Sequence, residues 1–536
     1  MPTHHLDRAD HKTAGRVLAA VLMVASLIGI AGESQASSMA EDWTDRGLGS
    51  YGPTGEIDAL NGNMPEVSAA TLALANSPQL AAIRADWHDT EDFLSQVGYQ
   101  RTFRESYDFL DSSPDHIAGV LGDKATASKL AQHELGLYLT DAEWDEFDRR
   151  VAAMRKSSEV RAAIVGPEKA RAIAEERPTP FGPDYGGRWQ DHFDDGVVKI
   201  GIVEGSKLDL AALRALMDRP SDVEFVPVQF SWDELQVYTR LVTEAASSQG
   251  IDVKVSPHAP ANQVIVTIPE PGLKIPEGIP QSAVKVIIDP EALDIQDAHT
   301  NFNSDHSVLL QSPGLRIFLE NTAIGFGDGN CTWGMTGHTA SFNYIVTAGH
   351  CVIDPPTTSI SGNKNMQVWQ YGTDGTRISD TNPWVVAKDQ ALSDSARIQA
   401  DAFADTNCYH TETSSCGFTM TSRRSLYEYD VGQTVCAAFA RSNDYRCPNI
   451  TELVGSYFSD YRIGFERQDG IPQGGDSGSG MKFSKTWDGI YYAGNATTSY
   501  FYPSYSVKTH LSFDFNCVRG GSSASGWLTC PLGNPN

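Results

Sequence analysis

"YIVTAGHCVI", residues 344–353, decides how the rest of the chain is read. An apolar run leads into a turn of small residues, and His350 and Cys351 then stand side by side. Taken alone, a histidine in this setting reads as a satisfied core residue next to a structural cysteine. A second stretch changes that reading. "PQGGDSGSGM", residues 472–481, sets Asp476 and Ser477 among glycines. Glycine lets a backbone turn sharply and aim several N–H groups at one point. A serine hydroxyl is a weak nucleophile at neutral pH and needs an adjacent base, which His350 can supply. The N–H groups of Gly475 and Ser477 can then meet a developing oxyanion, one such donor being worth about 3 kcal/mol.

In this order, "TAGHC" at 347–351 and "GDSGSG" at 475–480 resemble the histidine and serine motifs of the trypsin-like (chymotrypsin-fold) serine peptidases. The resemblance is confined to residues 311–536. It implies an all-β catalytic domain of two antiparallel six-stranded barrels, with a triad between them. His350 would take the proton of Ser477, and a buried carboxylate would orient the imidazole and stabilise its charged form. The candidates between the motifs are Asp354, Asp374, Asp380, Asp389, Asp394, Asp401 and Asp405. The family's Asp-x-Ala-x-apolar pattern at a strand entry matches Asp394, Ala396 and Ile398. Asp389 stands second, and a surface role is the alternative for either. This chemistry implies no cofactor and no metal.

All eight cysteines fall at 331, 351, 408, 416, 436, 447, 517 and 530. An even count confined to one region reads as a disulfide-stapled domain made in an oxidising compartment. No CxxC pair is present, which argues against a zinc ribbon or a thioredoxin-type site. The resemblance implies a Cys331–Cys351 bridge beside the histidine. It also implies a Cys436–Cys447 bridge of the kind found in bacterial streptogrisin and α-lytic enzymes. Cys408–Cys416 and Cys517–Cys530 then pair by nearness.

The N-terminus fits that compartment. Arg8, Lys12 and Arg16 precede the apolar run 17–32, and a small-residue site ends at Ala36. This is the pattern of a secretory signal peptide, residues 1–36. The run is shorter than the roughly 20 residues that span a bilayer, so no membrane association is expected after cleavage. Residues 321–536 carry 19 acidic and 14 basic residues, a net −5, while the whole chain carries −27. The part before them is therefore strongly acidic and cysteine-free. Such a balance argues against a nucleic-acid partner, because phosphate binding needs clustered Lys and Arg.

Residues 37–75 predict little regular structure. The stretch from about 78 to 175 reads as helical, clearest at "TDAEWDEFDRRVAAM", where Thr140 and Glu143 form a capping-box pair. Trp144, Phe147, Val151 and Met154 there recur at helical spacing and predict one buried face. After a Pro/Gly break at 175–187, strands are predicted at 196–203, 223–230, 262–268 and 283–289. Helices are predicted at 208–217 and from Ser231, capped by Glu234. This α/β segment, about 186–300, resembles the pro-regions that precede bacterial proteases of the α-lytic type. The resemblance implies that residues 37–310 act as the enzyme's own folding aid and inhibitor. The whole is then expected to be a secreted, monomeric endopeptidase made as a zymogen, acting on polypeptides. The alternatives are a non-catalytic peptide- or surface-binding module on the same fold, or an esterase using the same triad.

Three departures stand out. Ser479 replaces the last glycine of the family's usual GDSGG. Ala437 stands where α-lytic enzymes carry an arginine facing the Asp before the nucleophile, leaving Arg441 or Arg446 as partners for Asp476. Ile471, six residues before Ser477, disfavours a preference for basic side chains. Asn330, Asn449 and Asn495 begin Asn-x-Thr triplets, which read as coincidental glycosylation sequons.

Overall fold

The computed structural model describes residues 93–98, 141–290, 316–321, 326–339, 342–353, 359–363, 366–370, 383–390, 393–400, 408–410, 416–439, 444–456, 461–467, 472, 476–495, 497–517, 528–529 and 532–533, some of them by backbone alone. All lie in one compact unit, Asp89–Gln100 with Ala131–Asn536. The signal-peptide reading, the helical pattern expected over 78–92 and 99–140 with its Thr140 cap, and the junction near 310 fall outside the described residues.

After a helical turn at 93–96, the upstream half holds α1 (Asp141–Val165) and α2 (Pro167–Ala174). Phe147 and Met154 of α1 are buried, with Trp144 and Val151 packed beside them, as the helical spacing predicts. Strands β1 (Tyr185–Asp191), β2 (Val197–Val203) and β3 (Val223–Val228) form one sheet, with α3 (Leu210–Arg214) between β2 and β3. α4 (Trp232–Gln249) starts at Ser231, whose Oγ accepts from Glu234 N while the Glu234 carboxylate accepts from Ser231 N, so the capping box forms as expected. Gly250 closes α4 with φ of 67°, a conformation that glycine adopts without strain. Strands β4 (Lys254–His258), β5 (Gln263–Ile268) and β6 (Val284–Ile288) form a second sheet.

The downstream half is almost all strand. In chain order it holds β7 (Arg316–Asn321), β8 (Phe326–Thr332), β9 (Met335–His338), β10 (Asn343–Thr347), β11 (Ser359–Asn363), β12 (Met366–Gln370), β13 (Trp384–Gln390) and β14 (Ser393–Ala400). Then come β15 (Cys408–His410), β16 (Cys416–Thr419), β17 (Ser422–Arg424), β18 (Ala437–Phe439), β19 (Asp444–Arg446), β20 (Ile450–Val454), β21 (Arg462–Glu466), β22 (Gly480–Phe483), β23 (Thr486–Gly494) and β24 (Thr498–Pro503). After α5 (Ser504–Leu511) follow β25 (Asp514–Cys517), β26 (Leu528–Thr529) and β27 (Leu532–Gly533). One sheet runs β11-β13-β14-β10-β9-β25-β26, and another β20-β21-β24-β23-β17-β27 with β22 on β23. Several sheets and few helices are consistent with a chymotrypsin-like β fold.

The two halves share a core. Val198, Ile200, Leu235 and Val264 lie in one buried cluster with Leu426, Val435, Ile463 and Phe501. Main-chain bonds cross as well: Gln190 N donates to Val431 O at 3.0 Å, and Gly455 N to Val255 O at 2.9 Å. Ser256 Oγ donates to Leu453 O at 2.6 Å, which lays β4 beside β20.

Charges are buried at the same boundary. Arg188, fully buried, places Nη2 3.1 Å from Glu428 Oε2 and 2.5 Å from Asp430 Oδ2. Arg161 pairs with Glu428 and donates to Tyr427 O at 2.7 Å. Arg423 meets Glu176 through two bonds, 2.9 and 2.6 Å. Lys254 pairs with Glu452 at 3.0 Å. Burial alone would raise the Glu428 carboxyl, but Arg161 and Arg188 bring it down to about 2. The acidic excess of the upstream half therefore coexists with specific cations turned toward the downstream half.

Candidate active site

β10 carries the first motif into place. It lies between β9 and β14, antiparallel to both, with Tyr344, Ile345 and Val346 buried. The apolar run that opens the motif is thus a central strand, buried on both faces. Past Thr347 the chain closes one tight turn, in which Val352 N and Ile353 N both donate to Gly349 O at 2.9 and 3.0 Å. His350 sits in that turn. Cys351 bridges to Cys331 at the end of β8, pinning the turn to a second strand.

Register then supplies the carboxylate. Thr347 pairs with Ala396, so Asp394 lies two residues beyond the last β10 partner, beside the turn. Its Oδ1 accepts from His350 N at 2.8 Å, and its Oδ2 lies 2.5 Å from His350 Nδ1. Both side chains are buried. A neutral imidazole that donates from Nδ1 keeps its lone pair on Nε2, the nitrogen a general base uses. Asp389 faces Asp394 directly across β13–β14; its side chain lies outside the described residues. So do Asp354, Asp374, Asp380, Asp401 and Asp405.

Ser477 occupies a turn of its own. Ser479 N donates to Asp476 O at 3.0 Å, with Ser477 and Gly478 at the centre. Gly478 has φ of 94°, as the third position of a type II turn requires. The position is also crowded: a Cβ there would stand 2.1 Å from Thr347 Oγ1 and 2.4 Å from Thr332 O. The turn therefore touches the strand end that leads into His350. Thr332 N donates to Ser477 O at 2.8 Å, next to the Cys331 bridge. A Cβ on Gly480 would stand 2.0 Å from Gly334 O, a backbone approach that only glycine permits. Ser477 Oγ, also buried, donates to Tyr492 O at 3.1 Å. The structure so brings together the two motifs separated by more than 100 residues. Gly475, the other expected oxyanion donor, and Ile471 lie outside the described residues.

The departures from the family pattern have local accounts. The Ser479 hydroxyl is fully buried and donates to Asp476 O at 2.7 Å, so it doubles the turn's own bond. Asp476 is fully buried. Arg441 is outside the described residues, and Arg446 is buried. Burial raises the Tyr491 phenol, with the charge of Asp476 adding to the rise and that of Arg467 opposing it. Arg467 thus shares the surroundings of Tyr491 with Asp476, a placement with no signal in the sequence. Thr332, Gly334 and the Tyr492 carbonyl were equally hidden, since they contribute backbone.

Cys331–Cys351 and Cys436–Cys447 are bridged as the resemblance implies. The side chains of Cys408, Cys416, Cys517 and Cys530 lie outside the described residues. Donor atoms of Cys331, His350 and Cys351 fall within 4.8 Å of one another, but bridged sulfurs offer no thiolate to a metal. Asn495 is buried, its Oδ1 accepting from Thr497 N and Thr498 N, and the Asn449 Oδ1 accepts from the Thr434 hydroxyl. Two of the three sequon amides are thus built into the fold.

No protein-family model and no curated protein matches the sequence. Among solved structures the chain is similar to chymotrypsin-fold bacterial serine proteases. A Nocardiopsis protease matches at 18% identity over 38% of this chain and 98% of its own, with a TM-score of 0.27. Thermobifida fusca protease A matches at 16% identity over 39% and 100%, with a TM-score of 0.27. A Cellulomonas bogoriensis chymotrypsin matches at 15% identity over 38% and 98%, again with a TM-score of 0.27.

Proposed function

We propose that the chain is the precursor of a secreted serine endopeptidase, with His350, Asp394 and Ser477 as its triad. The observation that carries this reading is the two-point hold of Asp394 on His350, beside a nucleophile turn seated on Thr332 and Thr347. In the reaction, Ser477 Oγ attacks the scissile carbonyl while its proton passes to His350 Nε2. The C–N bond then breaks, and the same proton leaves with the amine, giving an acyl-enzyme. Water repeats the sequence to release the acid. The N–H groups of Gly475 and Ser477 hold the oxyanion in both halves. Asp394 keeps the imidazole in the required tautomer throughout.

In this reading residues 1–36 are a cleaved signal, 37–310 a pro-region, and 311–536 the protease with its two barrels and four disulfides. The buried ion pairs and shared core between residues 141–290 and 423–501 support a role for the upstream half in assembling the downstream one. A strand-rich fold with distant pairings folds slowly unaided, so a template for β20 and its neighbours has a physical use.

A fluorophosphonate probe tests the reading. The secreted, processed chain should be labelled stoichiometrically at Ser477, and Ser477→Ala should abolish labelling and peptide cleavage together. An unlabelled wild-type chain, freed of its upstream half, would sink the proposal.

A further inference from the structure

At the other end of the strands that carry His350 and Asp394 lies a cavity of about 400 Å³. Thr339, Phe342, Tyr344, Asn363, Trp384 and Gln399 line it. Its place follows from register. Tyr344 pairs with Gln399 across β10–β14, and Asn363 with Trp384 across β11–β13. Gln399 is five residues beyond Asp394 along β14, so at roughly 3.3 Å per strand residue the cavity lies about 16 Å from Asp394.

Two features set it apart from ordinary surface. Phe342 and Trp384 are 49% and 42% exposed, among the few large apolar side chains left open on the described surface. Around them the remaining described lining groups are neutral hydrogen-bonding ones: two amides, a phenol and a hydroxyl. Arg397, beside Tyr344, is committed elsewhere, since it stacks on the Tyr344 ring at 4.6 Å and donates to Ser512 O at 2.6 Å. The Gln399 Oε1 accepts from Trp384 N at 3.2 Å, which fixes the amide and turns its NH₂ end toward other acceptors.

We propose that this cavity binds a neutral oligosaccharide. A sugar ring offers C–H faces to aromatic planes and hydroxyls to amides, and this lining supplies both. A charged ligand would find no counter-ion among the six residues, and a purely apolar one would leave the amides without use. The volume falls in the range of roughly 300–1,000 Å³ typical of small-ligand sites. The site stands apart from the peptide-cleaving chemistry and does not depend on it. Its effect would be to hold a glycan, or a glycan-bearing protein, against the chain while another segment reaches the triad.

Titration calorimetry on the full-length secreted chain tests this with cellohexaose, chitohexaose, maltoheptaose and a proline-rich peptide as probes. At least one oligosaccharide should bind with a Kd on the order of 0.1–1 mM. Trp384→Ala and Phe342→Ala should each weaken binding about tenfold or more, while Trp384→Phe keeps most of it. Cleavage of a short chromogenic peptide should stay at the wild-type rate in all three variants. Should Trp384→Ala fail to fold, an Asn363→Ala, Gln399→Ala double variant takes its place, with the same loss expected. The proposal falls if no oligosaccharide binds the wild-type chain, if binding survives both aromatic truncations, or if only the proline-rich peptide binds.

Discussion

Replacing Arg188 by Met is the sharpest test of how the two halves are joined. The Arg188 guanidinium is completely buried and spends every donor: Nε and Nη2 on Asp430, Nη2 also on Glu428, and Nη1 on Ser157 Oγ and Ser158 Oγ at 2.9 and 2.8 Å. Methionine fills most of the volume but carries no charge. Glu428 would keep Arg161, whereas Asp430 would lose its main cation in a buried setting. Stranding a buried charge in this way costs about 3–5 kcal/mol. At roughly 2–4 °C per kcal/mol, the melting temperature should fall by about 6–20 °C. The measurement is a calorimetric melt of the full-length chain carrying Ser477→Ala, a change that removes the proposed nucleophile and with it any self-cleavage. Adding Asp430→Asn to Arg188→Met should restore at least half the loss, because the stranded charge is then gone. A single variant melting within about 1 °C of its parent would refute the reasoning, since it would mean that water or a relaxed backbone replaces Arg188 at no cost.

Other outcomes can be stated more briefly. Burial lowers the His192 imidazole from 6.5 to about 4, against the opposing Gly432 carbonyl; Arg150 adds to the fall and Asp191 resists it. The unfolded or separated chain then takes up a proton that the folded one refuses. The contribution of His192 is complete above pH 6.5 and is lost as pH falls toward 4, by up to about 3 kcal/mol. His192→Gln should flatten that part of a melting-temperature profile against pH. Gly478→Ala forces a side chain onto Thr347 Oγ1 at a φ that disfavours it, and the yield of folded chain should fall severely, with a stability loss of more than about 3 kcal/mol read from a thermal melt. Asp394→Asn leaves the shape intact but favours the wrong tautomer of His350, so kcat should drop on the order of 10³–10⁴-fold with KM little changed. An Asp394→Asn enzyme within tenfold of wild type would assign the orienting role elsewhere, Asp389 first.

The sequence made some of this legible because the chemistry is local. "TAGHC" and "GDSGSG" each hold their turn within a few residues, and Ser231 with Glu234 caps α4 through neighbouring atoms. Asp394 was reachable because its strand-entry pattern is also local. β1 and β4 carry no strand signal: β1 is rich in glycine and polar residues, and β4 is interrupted by Pro257, so neither shows the usual alternation. Their strand character comes from partners, β2 for one and β5 and β20 for the other. Arg188, Arg161 and Glu176 read as ordinary solvated charges, since the carboxylates and the arginine that bury them lie about 240 to 270 positions away. Tertiary pairing of that kind leaves no local trace.

The contacts that seal the two halves have a consequence for timing. While one chain links Arg188 to Asp430 and β4 to β20, the partners meet at an effective concentration on the order of millimolar. On the proposed reading, a cut near residue 310 would change none of those bonds. It does change what they compete with, because a severed upstream half at micromolar abundance is about a thousandfold more dilute than a tethered one. Departure would then be governed by dilution and by destruction of the released piece. The chain itself would set only how long the severed halves stay together, through pairs as deeply buried as Arg188 and Asp430.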